Sequence, residues 1–211
     1  MDVEHGAQPL YDTQTGTVLA VNGEIYNHKE LRAQLSQPHD FQTHSDCEPI
    51  LYLYDELEPQ DFLNRLNGIF AFVLYDPKRA TYLIARDPIG VIPLYVGWDR
   101  QENLWVASEM KALVGHCDRI KEVPPGHYYL GHEADKGWQK YYAPDWAEPG
   151  YVPTQPYDAK LLREALEAAV HRQLMCDVPY GVLISGGVDS SVISSVAAKY
   201  RDNRVEEGDA G

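Results

Sequence analysis

The sequence predicts an α+β first domain over residues 1–142, a linker over 143–156 and the opening of a parallel α/β domain over 157–211. Three observations carry this division. Short β-rich runs separated by turn signals fill the chain as far as residue 142; four prolines follow within fourteen residues; then a helix, a strand, a glycine loop and a second helix succeed one another.

In the first domain Val18-Leu19-Ala20-Val21 ends at Asn22-Gly23, Phe70 to Tyr75 turns at Asp76-Pro77, and Thr81 to Ala85 comes next. Ile92 to Trp98, Leu104 to Ala107 and His127 to Leu130 continue the series, which reads as hairpins of a largely antiparallel sheet arrangement. Helical patterns over about Lys29 to Leu35, Glu48 to Tyr54 and Glu109 to Val114 supply cover for at least one sheet face. Pro144, Pro149, Pro153 and Pro156 each remove a backbone donor and resist helix continuation, so this stretch reads as a linker. Beyond it Leu162, Leu166, Ala169, Val170 and Leu174 recur at helical spacing, predicting a helix that packs the second domain's core. Tyr180 to Ile184 reads as a buried strand, Ser185 to Ser190 as a loop and Ser191 to Tyr200 as a helix.

The chain has 211 residues, 18 basic against 32 acidic, for a formal charge of -14. That balance argues against a general nucleic-acid or anionic-membrane binder, because neutralising phosphates takes clustered Lys and Arg. Three widely spaced cysteines (Cys47, Cys117, Cys176) form neither a disulfide framework nor a metal cluster, and the eight histidines have no ligand spacing. No apolar run approaches the roughly 20 residues of a membrane span, and Met1-Asp2-Val3-Glu4 does not open a secretory signal. The expected compartment is the cytoplasm.

Ser185-Gly186-Gly187-Val188-Asp189-Ser190 follows an apolar run and opens a helix. Its glycines let the backbone approach a ligand, and the N–H groups of a helix start suit a phosphate or pyrophosphate. The serine hydroxyls can donate to phosphate oxygens, whereas Asp189 would repel them unless Mg2+ lies between, so a metal-nucleotide is the natural guest. An ordinary turn with Asp189 as helix cap is the bland alternative. The loop has no Lys and lacks Walker spacing; it resembles the SGGxDS signature of the ATP pyrophosphatases.

In Asn22-Gly23-Glu24-Ile25-Tyr26-Asn27 the amide of Asn22 and the N–H of Gly23 could donate to an oxyanion, although Asn-Gly alone reads first as a hairpin turn. Ser45-Asp46-Cys47-Glu48 reads first as a capping box, with acids that could instead hold an ammonium group. These two segments, then Arg86-Asp87-Pro88-Ile89-Gly90-Val91-Ile92-Pro93-Leu94-Tyr95 and Ala107-Ser108-Glu109-Met110-Lys111-Ala112-Leu113, stand in the order seen in class II glutamine amidotransferases. With the SGGxDS loop next, the chain resembles the glutamine-hydrolysing asparagine synthetases of the bacterial B type from about Gly6 to Lys199.

That resemblance implies an N-terminal-nucleophile αββα sandwich that hydrolyses glutamine, followed by the start of an ATP pyrophosphatase domain that uses ATP and Mg2+ to activate aspartate as β-aspartyl-AMP. It maps the oxyanion donors to Asn22 and Gly23, the glutamine-holding acids to Glu24 and Asp46, and the ATP site to Ile184, Ser185, Gly186, Gly187, Asp189 and Ser190, with Asp189 also facing Mg2+. Small-molecule partners would be glutamine, aspartate and ATP, with no nucleic acid and no membrane; a homodimer is possible. The family nucleophile is an N-terminal cysteine, where this sequence has Met1 and Asp2. Cys47 beside Asp46 does not suit that role, since a neighbouring carboxylate raises a thiol pKa. The expectation is therefore a piece lacking its first strands and most of its second domain, inactive in isolation. Rival readings are a catalytically silent binding or assembly module and a related ligase of the β-lactam synthetase kind. Phosphosugar or phosphoribosyl amidotransferases share the first domain but not the loop at Ser185 to Ser190. Arg86 and Asp87 read as an internal ion pair fixing the loop before Pro88 and Gly90, and Tyr128, Tyr129, Tyr141 and Tyr142 as core aromatics.

Overall fold

A computed structural model of the chain describes residue 2, residues 6–176 and residues 179–200. It divides into two compact units, Met1–Pro144 and Asp145–Gly211.

The first unit holds strands β1 (Leu10–Tyr11) and β2 (Val18–Ile25), helices α1 (His28–Gln34), α2 (Pro49–Glu56) and α3 (Pro59–Leu63), and then seven strands. These are β3 (Gly68–Asp76), β4 (Thr81–Arg86), β5 (Tyr95–Trp98), β6 (Leu104–Ala107), β7 (Arg119–Glu122), β8 (His127–Leu130) and β9 (Gln139–Lys140). A six-stranded sheet runs β1-β2-β3-β4-β8-β9 and a three-stranded sheet β6-β5-β7, with antiparallel pairing throughout.

Successive side chains of a strand point to opposite faces, and the six-stranded sheet uses this to separate two cores. Leu19, Val21 and Ile25 of β2, Phe70, Phe72 and Leu74 of β3, and Leu83 and Ala85 of β4 pack in one cluster with Leu31 of α1, Ile50 and Leu53 of α2, and Phe62 and Leu63 of α3. The intervening Ala71, Val73, Tyr82, Ile84 and Tyr129 pack in a second cluster with Val96, Trp98, Leu104 and Val106 of the small sheet. The order of layers is therefore helices, large sheet, small sheet. Each fully buried Leu or Phe contributes about 1.5–3 kcal/mol relative to exposure. Tyr128 and Tyr141 are buried, and Tyr129 and Tyr142 pack against these clusters, as core aromatics do.

Several expectations need correction. Asn22-Gly23 is not a hairpin turn: β2 runs through it to Ile25, because β3 offers a matching partner at every step from Val18↔Tyr75 to Ile25↔Gly68. The capping box does not form, since the cap of α2 is Glu48, with no side-chain cap bond, and the Glu48 carboxylate is engaged elsewhere. Glu109 to Val114 holds only a 3-10 turn at Met110–Ala112. Helix α3 and strands β1, β7 and β9 carried no strong periodic signal.

In the second unit α4 (Ala159–Arg172) begins at Asp158, whose side chain accepts N–H groups from Lys160 (2.8 Å) and Leu161 (3.1 Å), and α5 spans Val188–Lys199. The buried strand expected over Tyr180 to Ile184 is absent among the described residues: Leu183 is 94% and Ile184 66% exposed, and neither pairs in a sheet. A strand needs neighbours for its backbone groups, and none is offered here. For the same reason Leu162 and Leu166 are exposed rather than core, while Leu174, Met175, Val196 and Ala197 are buried. Part of the expected family stretch from Cys176 to Gly181 lies outside the described residues.

Candidate functional site

The last turn of pleat in β2 carries the first group of candidate residues. Asn22 lies opposite Ala71 of β3 and donates its amide nitrogen to Ser108 Oγ at 3.1 Å. Gly23 follows, opposite Phe70. A Cβ there would overlap the carbonyl oxygen of Ile69 and sit 2.7 Å from Phe70 Cα, so the approach of β3 allows no side chain. Asp46 enters from the loop before α2, buried, and its Oδ2 accepts the N–H of Ile25 at 2.7 Å. The Cys47 thiol lies beside the same oxygen (3.6 Å) and the Gly23 carbonyl (3.8 Å).

Charge is concentrated here. Partial burial and then the Asp46 carboxylate push the Glu24 carboxyl above its ordinary value. Tyr26 is pushed up to about 12 by burial and then by Glu24, Asp87 and Asp46. Burial followed by Asp46 drives the Cys47 thiol well above its usual range, the opposite of what a nucleophile needs. Glu24 and Asp46 thus lie close enough for the charge of one to raise the other.

The loop bearing Asp46 is clasped by residues whose role the sequence did not reveal. Glu48 accepts from the Gln42 N–H (2.6 Å), the Thr43 N–H (2.9 Å) and the Thr43 hydroxyl (2.6 Å). Arg32 donates to the carbonyls of Thr43 (3.3 Å) and Ser45 (2.8 Å) and lies over the Phe41 ring at 4.0 Å. A capping-box reading of Ser45 and Glu48 hid this clasp, because both residue types are also common helix caps.

Arg86 and Asp87 do fix the following loop, though not as a pair with each other. Arg86 donates to the carbonyls of Gly90 (3.0 Å), Ile92 (2.8 Å) and Val123 (2.6 Å), and its ion pair is with Glu122 at 2.7 Å. Asp87 accepts the N–H groups of Ile89, Gly90, Val91 and Ile92. One side chain takes the loop's acceptors and its neighbour takes the donors, which leaves neither free to neutralise the other.

Two hollows meet at Asn22 and Ser108. One, of about 210 Å3, is walled by residues such as Val21, Ala71, Phe72, Leu94 and Val106. The other, of about 330 Å3, is walled by Pro93, Tyr95, Glu109, Met110 and Lys111. No cysteine lines either one among the described residues.

In the second unit the loop at Ser185 stands at the head of α5. Gly186 has φ +87°, a conformation natural to glycine, and Gly187 occupies the helix cap without any side-chain cap bond. The first N–H groups of a twelve-residue helix thus lack a side-chain acceptor, which fits a phosphate. Ser185 and Ser190 hydroxyls lie 3.0 Å apart, and Ser191 donates to the Gly187 carbonyl at 2.8 Å. Asp189 is in the first turn. The described residues contain no cluster of three metal-ligating side chains, so a Mg2+ ion here would be held largely by the nucleotide's own oxygens. A hollow of about 510 Å3 between α4 and α5 opens beside Gly186 and Gly187.

Solved structures sharing this fold define its class. A glutamine phosphoribosylpyrophosphate amidotransferase from B. subtilis, complexed with ADP and GMP, superposes with a TM-score of 0.53 at 22% identity over 92% of this chain and 47% of its own. A structure described as the allosteric regulatory enzyme of purine biosynthesis gives 0.54 at 24% identity, over 92% and 46%. What the chain shares with both is the fold, built on antiparallel sheets.

The chain belongs to the glutamine amidotransferase domain family, whose model matches residues 1–115, and residues 161–207 match the asparagine synthase family. It is 53% identical over 207 residues to the asparagine synthetase B [glutamine-hydrolyzing] of Escherichia coli K12, covering 98% of this chain and 37% of that protein. A probable asparagine synthetase of Dictyostelium discoideum is 45% identical (97% and 37%), and one of Schizosaccharomyces pombe 50% (93% and 35%). The chain thus spans little more than a third of the length of these relatives.

Proposed function

We propose that the chain carries the glutamine-handling face and the nucleotide-binding loop of a glutamine-hydrolysing asparagine synthetase. The observation that supports this most is the carboxylate pair of Glu24 and Asp46, with Glu24 next to Gly23 and two residues beyond Asn22. A glutamine α-ammonium placed between the acids offsets the burial and the Asp46 repulsion that raise Glu24, and the side-chain amide then reaches toward Asn22 and Gly23. There the Asn22 amide and the Gly23 N–H would donate to the oxygen that becomes negative when the carboxamide carbon is attacked.

In the second half, the family match supports ATP as the nucleotide. The α5 N–H groups, with Ser185, Gly186, Gly187 and Ser190, would take the pyrophosphate, Ile184 would flank it, and Asp189 would face Mg2+ carried on those phosphates. Such an ion supplies charge neutralisation to the departing pyrophosphate. The carboxylate activated would be that of aspartate, with ammonia from the first half as its nucleophile. On this reading the first unit is the αββα sandwich in part and the second the start of an ATP pyrophosphatase domain, acting in the cytoplasm, where three free thiols suit a reducing medium.

Among the described residues no thiol lines the hollows at Asn22, and Cys47 is both buried and poorly acidic. Binding without turnover is therefore the behaviour proposed for these 211 residues. An NMR titration of 15N-labelled chain tests it: glutamine should move resonances of residues 22–26 and 46, and Mg-ATP those of 185–191. Silence of the first group toward glutamine removes the glutaminase reading; silence of the second toward Mg-ATP removes the ligase reading.

A further inference from the structure

A carboxamide can present either its oxygen or its nitrogen to a ligand, and only the nitrogen stabilises an oxyanion. Asn22 stands on the face of β2 turned toward the small sheet, where Ala71, its partner across the strand pair, is too small to constrain it. The constraint is Ser108, one residue past the end of β6, whose Oγ accepts an Asn22 Nδ2 hydrogen at 3.1 Å. The amide nitrogen has two hydrogens, so this bond occupies one and leaves the other for a ligand. Ser108 itself is anchored by β6, paired to β5 from Leu104↔Trp98 to Ala107↔Tyr95. The same bond joins the large sheet to the small one at the wall shared by the two hollows.

We infer that Ser108 is a positioning residue for Asn22, its Oγ holding the carboxamide nitrogen in place while the second hydrogen of that nitrogen is left for the ligand. This rests on the glutamine reading above and assigns a role that Asn22 cannot perform alone. Removing the hydroxyl frees the amide to turn over, and half of its orientations then offer a repelling oxygen. The acids at Glu24 and Asp46 do not depend on Ser108, so the two ends of a bound glutamine become separable.

The test uses the 15N-labelled chain with Ser108→Ala and Ser108→Thr, titrated with glutamine while following the Asn22 side-chain amide pair and the backbone amides of Glu24 and Asp46. In the unaltered chain all three should respond. In Ser108→Ala the response of the Asn22 amide should fall at least threefold while Glu24 and Asp46 keep theirs, and Ser108→Thr, which retains a hydroxyl, should restore it. An Asn22 response that survives Ser108→Ala, or a wild-type response confined to Glu24 and Asp46, overturns the role of Ser108 and leaves the glutamine reading intact. No wild-type response at Glu24 or Asp46 overturns both.

Discussion

Replacing Asp87 perturbs the point where the greatest number of backbone donors converges. Asp87 is fully buried. Its Oδ1 accepts the N–H groups of Ile89 (3.1 Å), Gly90 (2.6 Å) and Val91 (3.0 Å), and its Oδ2 those of Ile92 (3.0 Å) and Phe70 (3.4 Å). Asp87→Asn preserves the shape but replaces one oxygen with an NH2 group. The remaining oxygen will take the three-donor side, so the loss falls on Ile92 and the longer contact to Phe70, with donor now facing donor. Hydrogen bonds to a charged acceptor are worth about 1.5–3 kcal/mol, and one such bond plus a weak second gives a cost of about 2–3 kcal/mol. Asp87→Ala strands every donor and should cost roughly 3–5 kcal/mol, the range for removing one partner of a buried charged network. Each kcal/mol lowers the melting temperature of a unit this size by about 3–5 °C. Urea unfolding read by the fluorescence of Trp98 and Trp138, which pack on the core between the sheets, measures it. An Asp87→Asn chain within about 0.5 kcal/mol of the parent would refute the view that this carboxylate organises the loop, since surface substitutions fall in that range.

Other outcomes are expected from the same geometry. Gly23→Ala forces a Cβ onto the Ile69 carbonyl and should destabilise the first unit by about 1–3 kcal/mol in the same unfolding assay; a neutral result would mean that β2 and β3 need not approach so closely. Glu24 has a raised folded-state value, so the stability it contributes is complete below its ordinary pH of 4.5 and declines as pH rises through the shifted value. Glu24→Gln should accordingly be more stable than the parent at pH 7, with the advantage gone by about pH 4, and an advantage independent of pH would contradict the assignment. Iodoacetamide at pH 8, followed by peptide mass spectrometry, should label Cys117 ahead of Cys47, which reacts only on unfolding; a coupled glutamate assay on the same sample should register no glutaminase activity.

Much of the sheet was legible because its strands alternate or run apolar between turn signals, and Phe70 to Tyr75, Thr81 to Ala85 and Leu104 to Ala107 fall where β3, β4 and β6 lie. Local rules failed where a distant partner decided the outcome. Asn22-Gly23 has the chemistry of a turn, yet β3 supplies a continuous register that local propensity cannot foresee. Ser45 and Glu48 match a cap pattern, but Glu48 finds three donors at Gln42 and Thr43. Tyr180 to Ile184 has strand composition, and composition provides no neighbour to pair with. Nothing in the sequence from Ala107 to Leu113 gives Ser108 a partner, since only the fold places it beside Asn22, 86 residues earlier.

Gly23 stands in the middle of the β2 segment that carries Asn22 and Glu24 and meets Asp46 and Cys47. Leu19, Val21 and Ile25 put side chains into the helix-side core at every second position of β2, and Gly23 is the gap in that series. The Cys47 thiol approaches the Gly23 carbonyl at 3.8 Å, and its neighbour Asp46 reaches the Ile25 N–H. A larger residue at 23 would meet the β3 backbone at Ile69 and Phe70 and push the two strands apart. The alternate residues Asn22 and Glu24 stand on the face of β2 turned toward the small sheet, where Asn22 meets Ser108. Asp46 is thus placed by the β2 backbone at Ile25, whereas Asn22 and Glu24 are placed by the alternation of the strand itself.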